Sequence, residues 1–143
     1  MNPKTAIKTM LYLLIAIILF HLCIMLKIVS YEFTWGGRLK NDFEMYIFET
    51  ISVIINLFLF SILLIKGKYL RAFISIKIVN ITLWVFFIVL GLNTIGNILA
   101  KTNFEKFFTL LTLALSILIW IILHKEKNEC ITKPEINKNS SGN

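Results

Sequence analysis

The chain has 143 residues, of which 57% are hydrophobic and 16% charged, and its formal net charge is +7. A soluble domain carries about 25% charged residues and does not gather its apolar residues into long runs. Those proportions exclude a soluble globular domain and a disordered chain, and indicate a single membrane-embedded domain.

Four apolar runs, Thr9–Leu26, Met45–Ile65, Ile78–Ala100 and Phe107–Leu123, are long enough to span a bilayer. At 1.5 Å per residue they reach roughly 25–34 Å, against a hydrocarbon core of about 30 Å. In lipid the backbone must satisfy its own hydrogen bonds, so runs of this length are helices. The alternating ten-residue segments of a membrane β-barrel are absent. The predicted fold is all-α: a four-transmembrane-helix bundle over residues 1–123, in two helical hairpins. A polar segment, 124–143, follows, and composition predicts it to be disordered.

Lys4 and Lys8 precede the first run as they would in a secretory signal, but the run exceeds the usual 7–15 apolar residues. No small-x-small cleavage pattern follows Leu26, so the segment reads as an uncleaved helix. His21 lies about 7 Å below its outer end, taking five residues at 1.5 Å each.

The connection Lys27–Glu44 alternates Tyr31, Phe33 and Trp35 with Glu32 and Thr34, then turns at Gly36-Gly37 before Arg38. Two readings stay open. The aromatics form a belt at the membrane interface, or they form a lid over a site between the helices. Asn41 stands three residues before Glu44, and Thr102 three before Glu105, the spacing of a helix-capping box. The two segments also align as Lys40–Glu44 with Lys101–Glu105, through either a duplicated helix pair or shared capping chemistry.

In the second run Glu49, Ser52 and Asn56 share one helical face. The cytoplasmic connection Lys66–Lys77 opens on Gly67, where a helix C-cap would sit. In the third run Asn93 and Asn97 share a face, and Gly91 and Gly96 are expected to let a neighbouring helix approach closely. Asn80, Thr82 and Trp84 read as interface residues at the other end.

Ten of the 15 Lys and Arg residues fall in the N-terminus, the second connection and the tail. The positive-inside rule therefore places both termini in the cytoplasm. The basic excess reads as topology plus attraction to anionic headgroups, with no nucleic-acid partner. Cys23 and Cys130 lie on opposite sides of the membrane, as do His21 and His124, so neither an internal disulfide nor a metal site is expected.

With that topology His21, Glu49, Asn93 and Asn97 lie at similar depth in the outer half of the bilayer, Asn56 near its middle and Arg38 just above. A charged carboxylate there costs about 2–3 kcal/mol, so Glu49 should face the bundle and find a partner. His21, Arg38, Asn93 and Asn97 are the candidates. The cluster is either a polar clasp between helices or a binding site, with Tyr31, Phe33 and Trp35 as its lid.

Trp35-Gly36-Gly37-Arg38-Leu39, Glu44-Met45-Tyr46, Glu49, Asn93-Thr94-Ile95-Gly96-Asn97 and Phe104-Glu105-Lys106 resemble a group of small four-helix bacterial membrane proteins without an assigned function. The likeness covers most of the chain apart from the tail. It implies a bacterial cytoplasmic membrane and supplies no substrate, cofactor or catalytic residue.

Enzyme signatures are missing: no G-x-S-x-G, no phosphate-cradling glycine loop and no metal-ligand cluster. The expected function is a binding or accessory component with a polar pocket in the outer half of the membrane. Its partners would be the bilayer, a lipid or small-molecule ligand, and a second copy or another membrane protein. The alternatives are a small oligomeric proton-coupled transporter using Glu49, and a membrane-embedded acid–base enzyme using His21 and Glu49.

Overall fold

The structure, a computed structural model, describes residues 1–35, 39–71, 74–99 and 103–139, with Phe33, 103–105 and 125–139 described as backbone only. Its helices are α1 (Pro3–Met25), α2 (Tyr31–Thr34), α3 (Asp42–Lys66), α4 (Ile76–Ile98) and α5 (Asn103–Asn139). There is no strand among the described residues. α1, α3, α4 and the Lys106–His124 part of α5 are long and apolar enough to cross a membrane. The α5 backbone continues as helix to Asn139, beyond the point where the sequence turns polar.

α1, α3 and α4 begin before their apolar runs because polar residues cap them. Asn2 caps α1 by accepting from the Lys4 amide at 3.2 Å, with Pro3 at the first helical position, where a missing N–H costs nothing. Asn41 caps α3, its side chain accepting from the Glu44 amide at 2.8 Å. Glu44 reaches back to accept from the Lys40 amide at 2.9 Å, one residue before the cap, so the predicted box forms with its return bond displaced by one residue. Ser75 caps α4. The second predicted box, at Thr102 and Glu105, lies outside the described residues.

The ends of α1 and α3 share one device. After α1, the amides of Lys27 and Ile28 donate to the carbonyls of Ile24 and Cys23; after α3, those of Lys68 and Tyr69 donate to Ile65 and Leu64. This is the Schellman pattern, which needs one residue in the left-handed region. Lysine occupies that position both times, at φ 58° for Lys27 and 61° for Lys68. Gly67 is the C-cap as predicted, but in the ordinary right-handed region.

Contacts fix the helix order and direction. α1 packs against α3 and α5, and α4 against α5 and α3, closing a ring of four. His21 near the end of α1 meets Glu49 near the start of α3, while the Thr94 hydroxyl near the end of α4 meets that of Thr112 in α5 at 2.9 Å. Successive spans therefore alternate in direction. At the opposite end Lys66, the last residue of α3, donates to the Asn80 side chain of α4. Asn80 thus has a partner inside the bundle.

The two ends are packed differently. Around the start of α1, Ala6, Met10 and Leu14 are sealed against Leu63, Leu83 and Ile119 in a dry apolar core. Toward the other end a small apolar plug of Ile24, Leu39 and Met45, flanked by Tyr31 and Trp35, closes the bundle. The close approach expected at Gly91 and Gly96 is not found. A Cβ built at either would meet no atom within 4 Å, because α4 packs through its Val79, Leu83 and Thr94 side.

Replacing Lys68 by Gly should relieve its left-handed backbone and raise stability by about 0.5–1 kcal/mol, measured by denaturant titration in mixed micelles. Asn41→Ala should lower stability by about 1 kcal/mol in the same titration through loss of the α3 cap.

Candidate functional site

Helix periodicity aims Glu49 inward from the second turn of α3, and its side chain is fully buried. In a lipid-facing protein a buried carboxylate needs partners for both oxygens. His21 Nδ1 lies 2.6 Å from Oε2, and the indole Nε1–H of Trp35 donates to Oε1 at 2.7 Å. Both oxygens are therefore engaged, one by the preceding helix and one by the connection above it.

Local structure delivers Trp35 to that position. Ser30 opens the single turn of α2, the Thr34 hydroxyl donates back to the Tyr31 carbonyl at 3.1 Å, and Trp35 terminates the turn. Its ring packs on Phe48 with centroids 5.4 Å apart. The connection is pinned at its base by an ion pair between Lys27 and Asp42. That pair holds the Lys27 ammonium above its ordinary 10.5, chiefly through the hydrogen bond to Asp42. Partial burial, then the Asp42 charge, raises the Tyr31 phenol above its ordinary 10.0.

Beneath Trp35 lies a cavity of about 350 Å³ that reaches all four long helices. His21, Glu49, Ser52, Asn56, Asn93 and Asn97 supply polar groups to its wall, with Thr34 and Thr112. The remainder is apolar, with Leu59, Leu90 and Leu115 toward the dry core. Most lining residues are buried or half-buried. Ile55, Val89 and Asn93 are exposed, and they come only from α3 and α4. The cavity therefore opens sideways between those two helices.

Sequence-predicted residues divide clearly. His21, Glu49, Asn56, Asn93, Asn97 and Trp35 all line this cavity, and Tyr31 belongs to the plug beside it. Arg38 and the Phe33 side chain lie outside the described residues. Asn93 and Asn97 do not reach Glu49, whose oxygens His21 and Trp35 already occupy. Asn56 donates to the Ser52 carbonyl of its own helix at 2.8 Å. The side-chain amides of Asn93 and Asn97 have no hydrogen-bond partner among the described residues. Sequence reasoning missed the indole–carboxylate bond. Its signal was that a half-buried indole N–H is a donor that seeks an acceptor.

Among the described residues no three His, Cys, Asp or Glu side chains gather as a metal site requires. No family model, curated protein or solved structure matches the chain.

Glu49→Leu should strand the His21 and Trp35 donors at about 1 kcal/mol each and release the connection, whereas Glu49→Gln should keep it closed. With Trp84 and Trp120 replaced by Phe, the Trp35 emission maximum reads both outcomes, moving to longer wavelength in the Leu variant only. Lys27 and Tyr31 each hold their proton more tightly folded than unfolded. Their contribution is present below the ordinary 10.5 and 10.0 and lost as pH rises through the raised values. The same emission should therefore shift to longer wavelength in alkali.

Proposed function

We propose that this chain is a multi-pass membrane protein that binds a small amphipathic molecule in the cavity beneath Trp35. The observation that carries the reading is a largely apolar cavity with a few convergent polar groups, the usual makeup of a ligand site. A clasp alone would need the Glu49 bonds but no open space beside them. The positive-inside bias supports a cytoplasmic location for both termini, and in this reading the cavity belongs to the outer half of a bacterial cytoplasmic membrane. In this reading Trp35 and the plug form the lid, and His21 with the two asparagine amides forms the polar end.

A second reading draws on the imidazole. Glu49 engages Nδ1 and leaves Nε2 without a partner among the described residues, on a side chain that lines the cavity. A carboxylate orienting an imidazole in this way suits proton transfer to a bound molecule. Solute-driven proton flux in proteoliposomes, lost in Glu49→Gln, would favour that reading over binding alone.

Leu90→Trp, which fills the floor of the cavity, tests the main proposal. Protein purified from its membrane in nanodiscs should carry an amphiphile, detected by mass spectrometry of organic extracts, that the Leu90→Trp protein lacks. Identical extracts from two equally folded proteins would overturn the reading.

A further inference from the structure

The side opening and the fixed charges of the cavity together restrict what can occupy it. We infer that the ligand is a neutral, single-chain amphiphile bearing a hydroxyl group, and that it enters from the bilayer between α3 and α4. This rests on the binding reading above.

The route follows from what surrounds the cavity. Along the bundle axis one end is closed by the dry core around Leu63, Leu83 and Ile119, the other by Ile24, Leu39 and Met45. Among the described lining residues the exposed ones, Ile55, Val89 and Asn93, mark a flank between two apolar helices, α3 and α4. A water-borne solute would have to cross lipid to reach that mouth, whereas a lipid already lies beside it.

Size and charge select the occupant. At about 30 Å³, the share of liquid volume taken by one water, the cavity has room for about a dozen water-sized groups. That accommodates a headgroup and the first part of one chain, with the rest leaving through the mouth. Among the described lining residues the ionisable groups are Glu49 and His21, and they are spent on each other at 2.6 Å. A charged headgroup would add an uncompensated charge in a low-dielectric site. A hydroxyl instead finds His21 Nε2 and the amides of Asn93 and Asn97, which have no partner among the described residues and together with it both donate and accept.

The test uses the full chain in phosphatidylethanolamine–phosphatidylglycerol nanodiscs and two photoreactive probes. Both are hexadecyl chains with a diazirine near the head, one ending in a hydroxyl and the other in a carboxylate. Crosslinks are mapped by mass spectrometry, with Leu92 and Ile81 on the outer face of α4 as internal controls. The hydroxyl probe should label cavity residues, be displaced by unlabelled hexadecanol and exceed the carboxylate probe by about tenfold or more. Val89→Trp or Ile55→Trp, each obstructing the mouth from a different helix, should remove cavity labelling and leave the control labelling unchanged.

Equal, displaceable cavity labelling by both probes would overturn the headgroup assignment while leaving the binding reading intact. Cavity labelling that survives both mouth variants would overturn entry between α3 and α4. Labelling by neither probe above the Leu92 and Ile81 level would overturn this inference. The extract comparison with Leu90→Trp would then decide the binding reading separately.

Discussion

A carboxylate that cannot reach water must have both oxygens bonded, and much of the Trp35 end of this bundle follows from that requirement at Glu49. Meeting it takes an imidazole from α1 and an indole from the connection, so the connection cannot lie freely over the helix ends. It folds down, buries Leu39 against Ile24 and Met45, and closes the bundle axially. Lys27 and Asp42 tie its base, and the capping box at Asn41 and Glu44 sets where α3 begins. An interhelical bond in a membrane contributes only about 0.6–2 kcal/mol. The greater consequence is specificity, since misplacing any of these residues would leave a buried polar group unpaired.

The same end is not filled. Large apolar side chains seal the core that runs from Ala6 to Ile122, whereas beside it the four helices enclose an open volume lined by both polar and apolar groups. Helices associate in lipid without a hydrophobic driving force, so close packing is their principal reason to adhere. A cavity forgoes that contact. Here the Thr94–Thr112 bond and the Glu49 network hold the helices around it, which is why the polar residues cluster where packing is incomplete.

Much of this was legible from residue order because membrane helices leave few choices. Four apolar runs gave four helices, and the inward face of Glu49, Ser52 and Asn56 follows from spacing alone. The Asn41–Glu44 box is a local signal and could be read without tertiary information. What escaped detection depends on packing between elements. Trp35 reaches Glu49 only because a single helical turn forms at Tyr31–Thr34, which no periodicity announces. Lys27 and Lys68 sit where glycine would be the readable choice, so the two helix ends carried no sequence mark. Gly91 and Gly96 gave a misleading signal, since small residues permit close approach without requiring it. The pairing of Lys66 with Asn80 was missed because long charged side chains near helix ends ordinarily extend toward headgroups.

Chain order bears on how such a site is assembled. His21 and Glu49 are separated by 28 residues, with Trp35 between them, so the first pair of spans carries the whole network. During synthesis the histidine helix emerges first, and the carboxylate reaches the bilayer with its partners already made. The bonds of the buried carboxylate are therefore completed within one hairpin, with no contribution from α4 or α5. The later helices surround a polar centre whose hydrogen bonds they do not supply.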